Sequence, residues 1–433
     1  MVSYNMQTVL ICLNPAVSHF LPTMELANKL VDNKFRVIYA GFSKLYDVVT
    51  CNGFDFISFE TCSFIDFNNA YKKWKIRKYS EYFKGIEEEI ISIIKKYNVD
   101  ICLYDISRFN MFFLANNKMN VPMISFWTCS GATHINLSVP PNSSVLIPNN
   151  KRYQKLFVFS QWIKRYIKKE FLPKRIITKF YYPYPEIRKI ARKEGLQWKY
   201  NIDSPYLDGE KVILGSSAFE FPMTELKSYY TGLSIAERNQ DINKDFNWNW
   251  YDETKELIYC SLGTMCNRYP YSRYFFYEVI KAASKNSNWQ VIVNIGDLEK
   301  FDEKVLRVDA CKNIRIVRSV PQMDVLPKAS LVLTHGGYGT IKECIYYGVP
   351  MIVFPCTYDQ PGNAARVAFH EIGLRCSMKK ADSKIIENMI NEIIRKKEYY
   401  QDNLSRIKIK IRESDNIINI IQMIESLVGD RNE

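Results

Sequence analysis

The sequence has no Cys-x-x-Cys pair, no paired Asp-x-Asp motif and no apolar run long enough to cross a membrane. Its eleven cysteines stand singly, several within apolar segments, which argues against a disulfide framework and a structural zinc site. Without an Asp-x-Asp motif, no bridging metal is predicted. Because no basic leader precedes the first apolar segment, we expect a soluble or peripheral protein in a reducing, cytoplasmic compartment.

Glycines are missing where a dinucleotide-binding dehydrogenase needs them. The apolar segment 7–13 is predicted to be the first strand, and the loop after it lacks Gly-x-Gly-x-x-Gly. The net charge of +13 and the pI near 9.0 instead favour anionic partners, such as a nucleoside diphosphate or an acidic lipid surface. No zinc-finger, RNA-recognition or helix-turn-helix motif accompanies the charge, so no nucleic-acid partner is expected.

Strand-like and helix-like segments alternate through most of the chain, which indicates an α/β fold with parallel sheets. The alternation stops in a polar, Asn-rich stretch and then restarts, so we predict two similar lobes that face each other across a cleft. The predicted divisions are a first domain at 1–234, a linker at 235–254, a second domain at 255–410 and a C-terminal helix at 411–433. This helix could pack back on the first domain.

The strongest local pattern follows a predicted strand in the second domain. A turn containing Gly336, Gly337 and Gly339 lets the backbone approach a ligand closely. The helix that starts near Thr340 presents unpaired N–H groups at its positive end. Together, the turn and the helix terminus predict a binding site for a diphosphate.

Polar side chains surround this predicted site. His335 and Thr340 can donate to the diphosphate oxygens, and Glu343, one turn into the helix, can accept from ribose hydroxyls. After the next strand, Asp359 and Gln360 lie on a loop at the carboxyl end of the sheet, where ligands bind in open α/β folds. A carboxylate beside an amide suits a polyhydroxylated sugar.

The stretch resembles the donor-binding signature of the family 1 glycosyltransferases, which use nucleotide sugars. The motif DQPGNAAR is most similar to that of bacterial members, which include macrolide and carotenoid glycosyltransferases. The resemblance implies a GT-B fold of two facing Rossmann-like lobes, with the acceptor on the first and the nucleotide sugar on the second. The matching positions are Pro321, Gln322, His335, Gly337, Thr340, Glu343, Gly348, Val349, Pro350, Pro355, Asp359, Gln360 and Asn363.

The resemblance also implies a catalytic pair. His19 lies after the first predicted strand in Ser-His-Phe-Leu-Pro, where the family usually has Gly-His-x-x-Pro, and it matches the family's general base. Asp105, at the end of a later strand, matches the supporting aspartate. A histidine of near-neutral pKa suits proton abstraction when a carboxylate holds its tautomer.

The donor site implied by the resemblance departs from the family pattern at two places. Ser319 replaces an aromatic residue that often stacks on the base, so UDP and dTDP both stay open. Tyr338 and Gly339 replace the Trp-Asn of plant members near the sugar. No metal or further cofactor is implied. The implied nucleotide-sugar-binding residues are Gly263, Thr264, Val320, Gln322, His335, Gly337, Gly339, Thr340, Glu343, Asp359 and Gln360.

The segment 151–184 bears on the acceptor because it is rich in Lys, Arg and aromatic residues. One interpretation is a helix that packs its apolar face on its own domain. The other is an interfacial helix that contacts anionic lipid or admits a lipophilic acceptor. At helical spacing, one predicted apolar face contains Phe159, Trp162, Ile163, Tyr166 and Ile167.

Inverting transfer of a hexose to a hydroxyl of a hydrophobic small molecule is the favoured function. Two alternatives stay open. A sugar-nucleotide epimerase of the same fold would convert the donor alone and would not need His19. A non-catalytic nucleotide-sugar-binding protein would keep the cleft but would have no use for a base supported by Asp105.

Overall fold

A computed structural model shows two lobes, each built on a sheet of parallel strands. It describes residues 6–61, 63, 66, 76–105, 119–129, 139–140, 143–147, 151–170, 198–199, 206–207, 209–221, 228–235, 246–264, 266–296 and 312–429.

The first lobe contains a seven-stranded parallel sheet and a separate antiparallel pair. The strands in chain order are β1 (Thr8–Cys12), β2 (Arg36–Gly41), β3 (Asp55–Ser58), β4 (Val99–Asp105), β5 (Met123–Trp127), β6 (Trp198–Lys199), β7 (Tyr206–Leu207), β8 (Lys211–Ile213) and β9 (Tyr229–Tyr230). The sheet order is β3-β2-β1-β4-β5-β8-β9, and β6 pairs with β7. All five residues of β1 are buried, as expected for a parallel sheet covered on both faces.

Helices lie between the strands of this lobe along the chain. They are α1 (Val17–Phe20), α2 (Met24–Asp32), α3 (Tyr46–Thr50), α4 (Ile76–Lys96) and α5 (Lys151–Glu170). In α2 the spacing of Met24, Leu26, Ala27 and Leu30 predicts one buried face, and all four side chains are buried. The helical pattern is therefore confirmed there.

The second lobe repeats the plan with six parallel strands. These are β10 (Glu256–Ser261), β11 (Trp289–Asn294), β12 (Ile314–Val317), β13 (Leu331–Thr334), β14 (Met351–Val353) and β15 (Gly373–Arg375), in the order β12-β11-β10-β13-β14-β15. The helices are α6 (Ser272–Ala283), α7 (Gln322–Val325), α8 (Tyr338–Tyr347), α9 (Gln360–Phe369), α10 (Ser383–Arg395), α11 (Lys397–Ser414) and α12 (Ile417–Gly429).

In both sheets the strand order reverses beside the first strand of the lobe. The reversal lies between β1 and β4 in the first lobe and between β10 and β13 in the second. Loops leave the carboxyl ends of these neighbouring strands in opposite directions, which opens a crevice for a ligand. The predicted α/β fold with two Rossmann-like lobes is confirmed, and each lobe has a binding edge of this kind.

The ends of the second domain depend on packing. Helix α11 continues past the predicted boundary at residue 410, and Ile411 still packs in the core of the second lobe. Helix α12 instead joins the core of the first lobe through Ile420 and Ile424. Of the predicted linker, residues 236–245 lie outside the described residues, whereas the aromatic side chains from 246 to 251 pack on the second lobe.

Helix α5 divides its apolar side chains between two sides. Trp162 and Val158 are buried, whereas five other apolar residues, which we call the outer stripe, are exposed: Tyr153, Leu156, Phe159, Ile163 and Ile167. The prediction of one shared face was therefore wrong, because Trp162 is buried whereas Phe159, Ile163 and Ile167 are exposed; the side chain of Tyr166 lies outside the described residues. Among the described residues, no helix has both the length and the apolar character that crossing a membrane requires.

The lobes touch through segment 214–221, which follows β8. The Ser216 amide donates to the Tyr338 hydroxyl at 2.9 Å. Arg366 of α9 forms a buried ion pair with Glu220, with 2.7 Å between Nη2 and Oε2. Loss of either partner of the ion pair would leave an uncompensated buried charge, so a substitution at Arg366 or Glu220 is expected to disturb the contact between the lobes.

Candidate functional site

The two predicted catalytic side chains meet at the carboxyl edge of the first sheet. Because β1 and β4 are parallel neighbours, α1 and the last residue of β4 lie side by side. His19 Nδ1 is 2.5 Å from Asp105 Oδ2. The Asp105 side chain is 2% exposed and that of His19 is 25% exposed, so the carboxylate is withdrawn from water while the imidazole remains partly open to the cleft.

This contact determines which imidazole nitrogen can act as a base. When Nδ1–H donates to Asp105, the lone pair lies on Nε2 at the other side of the ring. Thr128, just after β5, places its hydroxyl 3.4 Å from the same Nδ1. An imidazole held in this way can take a proton at Nε2, and the buried carboxylate stabilises the imidazolium that forms.

Asp359 reaches the same part of the cleft from the second lobe. Burial raises the pKa of Asp359. Three interactions oppose that rise: a hydrogen bond from Asn363, a hydrogen bond from the Cys129 thiol and the charge of His19. Asn363 Nδ2 donates to Asp359 Oδ2 at 2.8 Å. A histidine of one lobe and a carboxylate of the other therefore lie close enough to interact electrostatically.

The predicted diphosphate turn encloses the His335 ring between two glycines. Gly263, at the end of β10, has a φ of +70°, and a Cβ on it would lie 2.7 Å from His335 Cε1. A Cβ on Gly337 would lie 2.6 Å from His335 Nε2. Any larger residue at either position would displace the imidazole, so the ring and the two turns form one unit.

Helix α8 begins at this turn. Gly337 is its N-cap and provides no side-chain capping hydrogen bond. Gly339 is exposed and Thr340 is half-buried, so the first turn of the helix is open on one side. An anion placed there would be stabilised by backbone N–H groups and by the helix dipole.

His335 is neutral at neutral pH. Burial lowers its pKa to about 4, and the Ser261 backbone opposes this shift only in part. A neutral imidazole can offer an anion an N–H donor but not a positive charge. Thr264, on the turn after β10, is exposed and can add a hydroxyl.

The predicted ribose end of the site is a buried polar chain. Gln322 Nε2 donates to the carboxylate of Glu343, which is 2% exposed. The Tyr259 hydroxyl donates to Gln322 Oε1 at 3.1 Å, and Asn294 Nδ2 donates to that hydroxyl at 3.2 Å. Val320 is 8% exposed beside them. Tyr259 and Asn294 were not predicted, because they lie within apolar strand segments whose pattern signals only a core.

Both polar atoms of the Gln360 side chain have a hydrogen-bond partner within the protein. Its Oε1 accepts from the backbone amides of Cys356 and Thr357, both at 2.9 Å. Its Nε2 donates to the Tyr269 hydroxyl at 2.9 Å, and the residue is 4% exposed. Asp359 thus lies on the cleft side of this loop, and Gln360 lies beneath it.

Tyr338 points toward the first lobe. Its ring stacks on Phe219 at 5.6 Å between centroids, and a Cβ on Gly215 would overlap it. The replacement of the family's Trp by Tyr was the one sequence signal at this position. It could not reveal that the hydroxyl binds the backbone of the opposite lobe.

Comparisons with known proteins identify relatives of the chain. A family model described as UDP-glucoronosyl and UDP-glucosyl transferase matches residues 132–412. The NDP-glycosyltransferase YjiC of Bacillus subtilis (strain 168) is 27% identical over 408 residues, which cover 91% of this chain and 90% of that protein. The zeaxanthin glucosyltransferase of Pantoea ananas is 26% identical over 175 residues, 40% of this chain and 39% of that protein. The crystal structure of the glycotransferase of kitacinnamycin has a TM-score of 0.73 at 18% identity, covering 98% of this chain and 99% of that one.

Proposed function

The chain belongs to the UDP-glucoronosyl and UDP-glucosyl transferase family, and from this premise we propose an inverting hexosyltransferase that uses a UDP- or dTDP-sugar. The acceptor is a hydroxyl of a hydrophobic small molecule. The observation that carries the proposal is the pair of His19 and Asp105, which lies near Asp359 at the carboxyl edges of the two sheets.

In the proposed reaction, His19 Nε2 takes the proton of the acceptor hydroxyl as the oxygen attacks the anomeric carbon. The bond from that carbon to the phosphate oxygen breaks, and its electron pair leaves with the nucleoside diphosphate. Asp105 stabilises the imidazolium, and Asp359 orients the sugar through its hydroxyls. Attack opposite the leaving group inverts the configuration at the anomeric carbon.

The leaving diphosphate needs stabilisation as its charge develops. We assign this role to the first turn of α8, to His335 and to the hydroxyls of Thr264 and Thr340. Oriented N–H and O–H donors can supply this without a metal ion. The nucleotide sugar is a co-substrate, and no further cofactor enters the proposal.

The hydrophobic character of the acceptor is inferred from α5. The outer stripe leaves large apolar side chains in solvent; Leu156 is 68% exposed and Phe159 is 55% exposed. At 100° per residue, exposed Lys155 and Lys164 border the stripe on opposite sides. An apolar stripe with flanking cations suits the surface of an anionic bilayer, from which a lipophilic acceptor could be drawn. We propose a cytoplasmic enzyme with peripheral contact at the inner membrane face.

Flotation with vesicles of mixed phosphatidylglycerol and phosphatidylcholine tests this contact. Ile163→Asp on the outer stripe should reduce binding about tenfold or more, because it places a charge in the apolar interface. Ile409→Asp on α11 is the matched control, since Ile409 is equally an exposed isoleucine but lies elsewhere. Equal loss in both variants, or no vesicle binding by the wild type, would contradict the membrane contact.

The experiment that tests the function is calorimetric titration with UDP, dTDP and their glucose conjugates, followed by turnover with and without acceptors. The acceptor panel contains phenolic, macrolide and carotenoid compounds. Binding of one diphosphate, with turnover that requires an acceptor, supports the transferase. Conversion of the donor alone would instead indicate an epimerase, and binding without any turnover would indicate a sensor.

A further inference from the structure

A continuous line of hydrogen bonds runs through the second lobe and ends at Glu343. The Gly296 amide donates to Asn294 Oδ1 at 3.1 Å, and Asn294 Nδ2 donates to the Tyr259 hydroxyl at 3.2 Å. That hydroxyl donates to Gln322 Oε1 at 3.1 Å, and Gln322 Nε2 donates to the Glu343 carboxylate. We call these linked groups the polar chain. Every donor in it points toward Glu343.

The two ends of the polar chain fix its direction. A backbone N–H can only donate, and an ionised carboxylate can only accept. Gln322 must therefore turn its NH₂ group toward Glu343 and its carbonyl toward Tyr259, so the tyrosine hydroxyl donates to it. Asn294 must likewise turn its carbonyl toward the Gly296 amide and its NH₂ group toward Tyr259. Rotating either side-chain amide by half a turn would place two donors or two acceptors against each other.

Tyr259 is the link between the two amides. It is fully buried in the core of the second lobe, so solvent does not reach its hydroxyl. Burial raises the pKa of Tyr259 to about 12, although hydrogen bonds from Asn294 and Ser261 oppose the rise. The hydroxyl therefore keeps its proton at neutral pH and remains a donor to Gln322.

Glu343 is the group through which the polar chain can act on a ligand. It lies in α8, the helix whose first turn is proposed to hold the diphosphate, so its carboxylate is near the ribose that a diphosphate there would carry. A carboxylate has lone pairs for about four hydrogen bonds, so it can accept from Gln322 and from ribose hydroxyls at the same time. A site built to bond a substrate hydroxyl rejects the analogue that lacks it, because a buried polar group is then left unpaired.

We propose that Tyr259 and Asn294 are positioning residues that fix the Gln322 amide and thereby hold the Glu343 carboxylate for the vicinal hydroxyls of a ribose. The donor is then a ribonucleotide, a UDP-sugar, rather than a deoxyribonucleotide such as a dTDP-sugar. This inference rests on the proposed function, because it concerns the nucleoside of the same donor. The two positioning residues act on the ribose through Gln322 and Glu343 and do not contact it themselves.

UDP and dUDP measure this choice, because they share the base and the diphosphate and differ only in the 2′-hydroxyl. Calorimetric titration of the wild type should show UDP binding at least about tenfold more tightly, as expected for one hydrogen bond to a charged group. A wild type that binds dUDP as tightly as UDP would overturn the proposal. A wild type that binds neither of them, nor dTDP, would overturn the proposed function first, so the two failures are distinguishable.

Tyr259→Phe removes the hydroxyl that donates to Gln322 and keeps the buried ring. The affinity for UDP should fall about tenfold, because the Gln322 carbonyl loses its partner and Glu343 is no longer held. The affinity for dUDP should fall by less than about twofold, so the preference for UDP largely disappears. Losses by the same factor for both ligands would leave Tyr259 a structural role only and would overturn the proposal.

Asn294→Asp is a second test, which reverses part of the polar chain without removing the tyrosine. The new carboxylate still accepts from the Gly296 amide, but it also accepts from the Tyr259 hydroxyl, which therefore no longer donates to Gln322. The preference for UDP should fall about as far as in Tyr259→Phe. The double variant should lose no more preference than either single variant, because both break the same link. An unchanged preference in Asn294→Asp, or additive losses in the double variant, would overturn the proposal.

Tyr39→Phe is the matched control. Tyr39 is also a fully buried tyrosine on a parallel strand, and its hydroxyl lies 2.9 Å from Thr23 Oγ1 in the first lobe. Thermal unfolding should show a loss of stability comparable to that of Tyr259→Phe, whereas the preference for UDP over dUDP should stay at the wild-type value. A preference reduced equally in Tyr39→Phe would trace the effect to general destabilisation and would overturn the assignment of Tyr259.

Discussion

The candidate site residues are close together in the sequence of the second lobe but far apart in the sequence of the first lobe. In the second lobe, His335, Glu343 and Asp359 come from one strand-turn-helix-strand run. In the first lobe, His19 and Asp105 are 86 residues apart and meet only because β1 and β4 are neighbours in the sheet. A contiguous site leaves a recognisable pattern in sequence, whereas a site assembled by strand order leaves isolated residues.

The largest expected effect is a loss of turnover without a loss of diphosphate affinity, which would distinguish the role of the first lobe from that of the second. His19→Ala should lower kcat about 1000-fold, because general base catalysis typically contributes that much. Affinity for the nucleoside diphosphate, which we propose binds on the other lobe, should change by less than about twofold. Steady-state kinetics and titration on the same preparation measure both. Unaltered turnover would remove His19 from the mechanism.

Asp105→Asn should lower kcat about 100-fold while leaving the donor in place. The amide can still bond to His19 but cannot stabilise an imidazolium or enforce the same tautomer. The pH profile of kcat is the informative measurement. If Asp105 supports the base, replacing its carboxylate with an amide must change that profile. A profile identical to the wild type would assign Asp105 a purely structural role.

His335→Ala should act on the second edge and weaken diphosphate binding about 30-fold, as expected for loss of a hydrogen bond to a charged group. The value of kcat at saturating donor should fall much less than in His19→Ala. His370→Gln serves as the control, because His370 is another half-buried histidine of this lobe that donates toward the Phe219 carbonyl at 3.1 Å. Equal effects in both variants would point to general destabilisation.

The pH dependence of stability should arise partly in the second lobe. Burial lowers the pKa of His335 and of His370 to about 4, from an ordinary value of 6.5. Below pH 6.5 the two histidines bind protons in the unfolded chain but not yet in the folded protein. The stability that they contribute is therefore present above pH 6.5 and is lost as the pH falls toward 4. We expect each of these two groups to contribute roughly 2 kcal/mol to the loss between pH 7 and 4.5. Urea unfolding at pH 7 and 4.5, compared with a His335→Gln/His370→Gln variant, checks this; an equally steep dependence in the variant would contradict it.

The smallest expected effect is that of chelation. Activity in EDTA should remain within about 20% of the untreated level, because N–H and O–H donors at the α8 turn are proposed to stabilise the leaving diphosphate. Measurement of initial rates with EDTA, and with added Mg²⁺ or Mn²⁺, decides the matter. A strict requirement for added metal would count against this description of the donor edge.

Helical and strand periodicity predicted much of the fold. The alternation of apolar strands with amphipathic helices indicated two α/β lobes, and the buried face of α2 follows its spacing residue by residue. Helix α5 did not follow this rule. Phe159 and Trp162 share a helical face by spacing, yet only Trp162 meets Val158, Phe221 and other core residues from both lobes. Which side of a doubly apolar helix faces inward depends on what lies opposite, and spacing carries no such information.

The candidate site shows the same limit. Asp359 and Gln360 are adjacent and both polar, so sequence could not separate their roles. The fold leaves the carboxylate near the cleft and turns the amide toward Tyr269, more than ninety positions earlier in the chain. Tyr338, Tyr259 and Asn294 were missed for a related reason, because their hydrogen-bond partners come from other strands or from the other lobe.

The sequence by itself determined the class of fold, the glycine-rich turn before α8 and the residue types available for chemistry. These follow from local rules, since glycine conformations, strand and helix periodicity and side-chain functional groups act over a few residues. Only the tertiary structure decided that His19 lies against Asp105, that the Gln360 side chain bonds within the protein and that α12 packs on the first lobe. Those outcomes depend on strand order and packing between distant segments, whose energies are shared by residues that no local pattern connects.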